Sequence, residues 1–205
     1  CEEACNIPNL HNCMRNGSNI DVDTNLSTLM SVLENIDRND KDLVFNFVSS
    51  WFVYGKNEVT PFNEEKSFCN PTGFYSITKR TAEQLIESYC KTFNMKYKIV
   101  RLSNIVGKGD GKISKKKNAL QFLISEMQEN RDINLYNEGN FYRDILHVED
   151  AIDGIKYVVD NGKDSEIYNL GSGSKPILFK DIIMYLHKEM DSKSKIGNIE
   201  IKEHK

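Results

Sequence analysis

The stretch DLVFNFVSS (residues 42–50) decides how the rest of the chain is read. A compact apolar run closing in small polar residues reads as a strand buried on both faces, the kind found inside a parallel sheet. Just ahead of it, NLSTLMSVLENI (25–36) sets Leu26, Leu29, Met30, Leu33 and Ile36 on one helical face. Behind it comes a polar loop with Pro61 and Pro71, then a helix carrying Leu85, Ile86, Tyr89 and Phe93 at helical spacing and ending near Asn94. KYKIVRLSN (96–104) is the next strand, followed by the glycine-rich GKGDGK (107–112) and a lysine-rich loop. The pattern then predicts a helix from about 118 to 129, strands at 133–136 and 142–146, a helix over VEDAIDGIKYVVDN (148–161), a strand at 167–170 and a helix at 179–190. Helices alternating with strands imply an α/β fold with a mostly parallel sheet. The glycine–lysine stretch 107–117 marks the boundary between a core, residues 1–107, and a small mixed lobe, residues 108–205, part of which packs back on the core.

The composition excludes several classes. With 205 residues, 39% hydrophobic and 28% charged, the chain has the make-up of a globular protein able to bury a core. A net charge of -3 offers no basic field for nucleic acid. Apolar runs such as 43–48 are too short to span a bilayer, and no secretory leader is evident at the amino end, so the expected location is the cytoplasm. Five cysteines, Cys1, Cys5, Cys13, Cys69 and Cys90, are scattered without a Cys-x-x-Cys pair, which reads as reduced thiols. Cys1, Cys5, His11 and Cys13 match no common zinc spacing, so no metal site is expected.

In GFYSITKRTAEQL (73–85), Tyr75 and Lys79 stand four residues apart, one turn apart on a helix face. An ammonium beside a phenol favours the phenolate and lowers its pKa from about 10. Such a tyrosine can take a proton from a sugar hydroxyl or return one. The same spacing also arises by chance, as a half-buried tyrosine beside a solvated lysine. Ser49 and Ser50, at the carboxyl end of the strand, shift the balance, because such positions line the ligand crevice of a parallel sheet.

Four segments, VSSWFVYG, PTGFYSITKRTAEQL, RLSNIVGKGD and FYRDILHVED, occur in the order seen in the extended short-chain dehydrogenase/reductases. More narrowly, the chain resembles their NAD-dependent, nucleotide-sugar epimerase/dehydratase branch, from about residue 25 to 172. The resemblance implies the second half of a Rossmann-type parallel sheet, NAD or NADP as cofactor, a nucleotide-diphosphate sugar as substrate and a homodimeric parent enzyme. It makes Ser50, Tyr75 and Lys79 the catalytic set, and it gives Ser49, Tyr75, Lys79 and Ile105 to the cofactor. Tyr54, Asn104, Asn118 and Arg143 fall to the substrate, with Arg143 as a fork suited to diphosphate oxygens. Asn25 becomes a structural asparagine, His147 a packing histidine and Asp150 an N-terminal helix residue. Each has a competitor: Asn104 as a turn residue, Arg143 as a partner of Asp144 or Glu149. The basic loop Lys108, Lys112, Lys115, Lys116 and Lys117 reads equally as a diphosphate-gathering or a solvated loop.

Two departures shape the expectation. No G-x-x-G-x-x-G follows an early strand, so the resemblance leaves on the order of 70 residues of the nucleotide-binding half outside this sequence. Family members also carry carboxyl-terminal substrate contacts beyond its reach. A hydrophobic sheet edge is expected to be exposed as a result. The second departure concerns the reaction. Dehydratases of the family carry acidic residues just after the catalytic hydroxyl, whereas Trp51 and Phe52 can neither give nor take that proton. The implied activity is therefore a 4-epimerase acting through a transient keto-sugar, with three alternatives. These are a keto-sugar reductase, such as those making deoxysugars for surface polysaccharide, a non-catalytic sugar-nucleotide or NAD(P)-binding relative, or an inactive fragment. Calorimetric titration of the 205-residue chain with NAD should show weak binding or none; micromolar affinity would refute this.

Overall fold

The computed structural model describes residues 20–55, 60–108 and 119–199. Along the chain come helix α1 (Thr28–Asn35), strand β1 (Val44–Ser50), helix α2 (Phe74–Phe93), strands β2 (Lys96–Leu102) and β3 (Asn104–Val106), and helix α3 (Ala119–Gln128). Strands β4 (Ile133–Tyr136), β5 (Tyr142–Arg143) and β6 (Ile145–His147) follow, then helix α4 (Val148–Asn161), strands β7 (Glu166–Leu170) and β8 (Ile177–Leu178), helix α5 (Phe179–Glu189) and strand β9 (Ile196–Ile199). DLVFNFVSS is a strand, but it is not buried on both faces as its apolar run suggests: Asn46 and Val48, on one face, are exposed. It pairs in parallel with β2, which pairs in parallel with β7, giving the order β1-β2-β7. Ser50 lies opposite Leu102, which lies opposite Leu170, so the strand ends are level where the site forms.

Two apolar clusters hold the layers. Alternation along β1 turns Phe45 and Phe47 toward α1 and α2, where Leu29, Leu33, Ala82, Ile86, Cys90 and Met95 close the first cluster. Burial pushes the Cys90 thiol up to about 11, so it acts as a small hydrophobe. Asn25, in a single π-helical turn ahead of α1, is buried and donates to Thr78 Oγ1 at 3.0 Å, tying that turn to α2. The second cluster joins α3, β4 and α5 through Leu120, Leu123, Met127, Ile133, Leu135, Phe179 and Ile183. Buried Lys98 on β2 donates to Val159 O at 2.7 Å near the carboxyl end of α4, where a cation suits the helix dipole. On its outer edge β1 has no strand partner among the described residues, and Val48 is 42% exposed. No helix among the described residues is long and apolar enough to cross a membrane.

The short strands escape hydrophobic periodicity. β3 pairs in parallel with β6, β4 in parallel with β9, and β5 antiparallel with β8. The strand expected at 142–146 is split at Asp144, whose carbonyl accepts from Asn104 N at 3.3 Å and whose carboxylate accepts from Ser172 N at 3.2 Å. Those side bonds take Asp144 out of either ladder, so β5 and β6 pair with different partners.

Helix α2 carries the putting-together of the site. It begins where Gly73 N–H donates to Ser76 Oγ at 3.1 Å, a side chain reaching back over the first turn. It ends at Asn94, left-handed at φ 52°, with Met95 N–H donating to Cys90 O at 2.8 Å. In its interior, fully buried Glu83 accepts two bonds from Arg101 of β2, Nε to Oε1 at 2.9 Å and Nη2 to Oε2 at 2.7 Å. Arg80 adds a third at 2.8 Å. Burial alone would raise the Glu83 carboxyl, but the Arg101 guanidinium overrides it and holds the group below the usual carboxylate range. A carboxylate depressed in the folded state stabilises above its unfolded pKa, near 4, and that stability is lost as pH falls through the folded value. Glu83→Gln should therefore cost about 3–5 kcal/mol at neutral pH, as breaking a buried pair does, and flatten the acid limb of stability against pH. Urea denaturation at several pH values measures both; an unchanged acid limb would refute the assignment.

Candidate active site

Ser50 ends β1 in extended conformation and is 8% exposed. Its Oγ accepts from Phe52 N at 3.4 Å and so caps a 3-10 turn, Trp51–Tyr54. Gly55 closes that turn at φ 62°, where a Cβ would meet Asn70 O at 1.9 Å, so only glycine allows the approach. On the second residue of α2, Tyr75 turns its phenol toward Ser50 and is 38% exposed. Burial lifts its pKa above the ordinary value, the Ser50 hydroxyl opposes that lift, and the Asp21 charge adds to it.

Lys79 differs from expectation in its aim. Its Nζ donates to Val48 O at 3.1 Å and lies 4.8 Å over the Phe47 ring and 6.0 Å from the Tyr75 ring centre. Burial lowers its pKa, against the pull of Glu83. The ammonium thus serves a carbonyl, and the phenol stands above its usual pKa rather than below it.

Ser49 and Tyr54 depart from their expected contacts. Ser49 is 3% exposed and its hydroxyl lies toward the Glu83 carboxylate, because alternation along β1 puts it on the same face as Phe47. Tyr54 is fully buried; its hydroxyl accepts from Arg101 Nη1 at 2.8 Å and donates to Asn169 Oδ1 at 2.8 Å, and its ring stacks on Phe62 at 4.5 Å.

Asn104 opens β3, with Nδ2 donating to Asp144 O at 3.0 Å. Ile105, next in β3, pairs with Leu146 and is half-buried. Arg143 on β5 donates from Nη1 to Tyr142 O at 2.8 Å, and its guanidinium lies 5.2 Å over Trp51 and 4.4 Å over Phe141. Its neighbour Asp144 is engaged by Ser172. His147 caps α4, its Nδ1 accepting from Glu149 N at 3.4 Å, and Asp150 lies in the first turn. Asn118 and the lysines at 112 and 115–117 lie outside the described residues, as do Cys1, Cys5, His11 and Cys13.

Ser50, Tyr75 and Arg143 are thus joined through the turn Trp51–Tyr54, while Lys79 is held by β1 and lies 6.0 Å from the Tyr75 ring centre. Sequence reasoning missed the aromatic contacts at the centre of the turn. Phe52 meets the Tyr75 ring edge-on at 6.2 Å, and Trp51 stacks on Phe52 at 4.4 Å. It also missed the pair Glu83 and Arg101, although the first, at four residues beyond Lys79, continues the face that holds Tyr75.

A parallel sheet with a serine, a tyrosine and a lysine at its carboxyl end defines a Rossmann-type α/β protein. Comparison with known proteins places it more narrowly: residues 12–171 match the model of the NAD dependent epimerase/dehydratase family, and the chain belongs to that family. It is 31% identical over 157 residues to dTDP-D-glucose 4,6-dehydratase of Homo sapiens, covering 75% of this chain and 43% of that protein. It is 28% identical over 160 residues to a putative UDP-glucose 4-epimerase of Methanocaldococcus jannaschii, covering 76% and 50%. The crystal structure of dTDP-glucose 4,6-dehydratase from Bacillus anthracis in complex with NAD has a TM-score of 0.74 at 25% identity, covering 88% of this chain and 56% of that one. The chain spans about half the length of the curated relatives it matches. The family is NAD(P)-dependent.

Because the Ser50 hydroxyl opposes the rise of the Tyr75 pKa, Ser50→Ala should push that pKa further up. Alkaline difference absorbance, with Tyr75→Phe to identify the signal, reads the shift; an unchanged or lower midpoint would contradict the contact.

Proposed function

We propose that this chain carries the proton-transfer centre of a nucleotide-sugar epimerase of the 4-epimerase type, acting through a keto-sugar. The observation that carries the reading is the pairing of Ser50 with Tyr75 at the end of β1, beside two aromatic residues rather than carboxylates. An elimination would need an acid at Trp51 or Phe52. Oxidation at a sugar hydroxyl needs one proton acceptor and a donor that holds the oxygen, which the tyrosine and serine provide.

Nicotinamide cofactor fits the residues present. Lys79 Nζ gives one bond to Val48 O, and an ammonium has three hydrogens to donate, which leaves donors for a pair of ribose hydroxyls beside Tyr75. When bound, the nicotinamide supplies the hydride acceptor and later the donor. Tyr75 takes the hydroxyl proton at the reacting carbon and returns it, while Ser50 holds the same oxygen. A rotamer change that brings Lys79 from the Val48 carbonyl to the phenol lowers the phenol's pKa toward the working range, since the positive charge favours phenolate. Arg143 takes the diphosphate, across the sugar ring from the reacting hydroxyl, a planar fork meeting two oxygens.

In a chain completed with the nucleotide-binding half that relatives carry, replacing Tyr75 by Phe should lower interconversion of UDP-hexose 4-epimers, followed by NMR in the presence of NAD, by roughly a hundred- to ten-thousand-fold, the usual contribution of a general acid–base group. Substrate binding should change little. Unaltered turnover would sink the mechanism.

A further inference from the structure

Between the phenol and the guanidinium runs an unbroken column of rings. Tyr75 meets Phe52 edge-on at 6.2 Å, Phe52 stacks on Trp51 at 4.4 Å with planes 24° apart, and the Arg143 guanidinium lies 5.2 Å over the indole. Trp51 belongs to the turn after β1, whereas Arg143 belongs to β5 in the lobe. The second ring under Arg143, Phe141 at 4.4 Å, is anchored in the lobe by stacking on Phe179 at 4.8 Å. The guanidinium therefore bridges an aromatic ring of each part. A long arginine side chain has many rotamers, and a cation held over an aromatic face loses that freedom before a ligand arrives.

We propose that Trp51 is a positioning residue for Arg143. Its indole seats the guanidinium at a set separation from Tyr75, so that the anion-binding group and the proton-handling group address the diphosphate and the reacting hydroxyl of one nucleotide-diphosphate sugar. This deepens the function proposed above and rests on it. Two rigid rings in series set that separation, and rings do not shorten. Phe52 holds the end near the phenol and Trp51 the end near the cation. An aliphatic side chain at position 51 removes one of the two rings over which the guanidinium lies, and the diphosphate must then do more of the ordering at the cost of affinity.

Trp51 is the only tryptophan of the chain, so its emission reports this contact directly. In the ligand-free protein, Arg143→Met should change the Trp51 emission intensity, because the cation leaves the indole. Calorimetric titration with UDP and dTDP, against uridine and thymidine as diphosphate-free controls, tests the consequence. Trp51→Leu and Arg143→Met should each weaken diphosphate binding about tenfold and leave the nucleoside controls unchanged. The double variant should be no weaker than Arg143→Met alone, since the tryptophan acts only through the arginine. Trp51→Phe, which keeps a ring face, should retain most of the affinity. Additive losses, equal losses for nucleoside and diphosphate, or full affinity in Trp51→Leu would each overturn the inference and leave the proposed function standing. Wild-type chain that binds neither diphosphate better than its nucleoside would overturn the role of Arg143 itself. Should Trp51→Leu fail to fold by circular dichroism, the Trp51→Phe titration and the emission of Arg143→Met decide: unchanged emission overturns the contact.

Discussion

A carboxylate and a guanidinium, each sealed from water, determine where helix α2 sits. Glu83 and Arg101 meet through two short bonds in the interior, and an ion pair so placed tolerates little displacement, because either partner left alone is a buried charge. The pair joins α2 to β2. Through Tyr54 it reaches the turn after β1, and through Asn169 it reaches β7. One network thus joins β2, β7 and the turn after β1 to the helix that bears Tyr75 and Lys79. The value of such a pair lies in the geometry it selects, since buried ion pairs recover their desolvation only when the fit is good.

A second node lies at Asp144. Asp144 gives its carbonyl to Asn104 and its carboxylate to Ser172, which breaks one expected strand into two and leaves Arg143 just ahead of the break. Segments far apart in sequence, SNIV, YRDI and GSGS, converge on that residue. The rings of Trp51 and Phe141 then meet over the guanidinium. The polar and aromatic contacts act together: Asp144 sets where β5 starts and stops, and the rings set where its arginine points.

Much of this was legible in the sequence. The apolar run of β1, the face of Leu29 and Leu33 on α1, and the apolar spacing along α2 each report burial by periodicity, and each element stands where that periodicity puts it. The spacing of Tyr75 and Lys79 was legible for the same reason. Illegible were the strands β3, β8 and β9, two to four residues long, because so short a segment is extended only by virtue of its partner. The internal contacts of Ser49 and Tyr54 were hidden for a related reason. Motif position says that a residue is near a ligand crevice, while the direction of its side chain depends on strand alternation and on which buried charge needs a hydrogen bond. The direction of Lys79 was equally hidden, since a flexible ammonium goes to the nearest acceptor, here Val48 O.

By itself the sequence determined the α/β class, the order of the principal helices and strands, and the residue types that handle a proton. These follow from local periodicity and from side-chain chemistry, which need no partner. Tertiary structure alone decided that Glu83 and Arg101 tie α2 to β2, that the Tyr54 hydroxyl bonds to Arg101 and Asn169, and that Trp51 lies under Arg143. Those contacts join residues that no local rule relates: eighteen positions apart for the ion pair, and on separate parts of the fold for the indole and the guanidinium. Burial turns such distant pairs into fixed geometry, because only in the folded interior does a missed hydrogen bond or an unpaired charge carry its full cost.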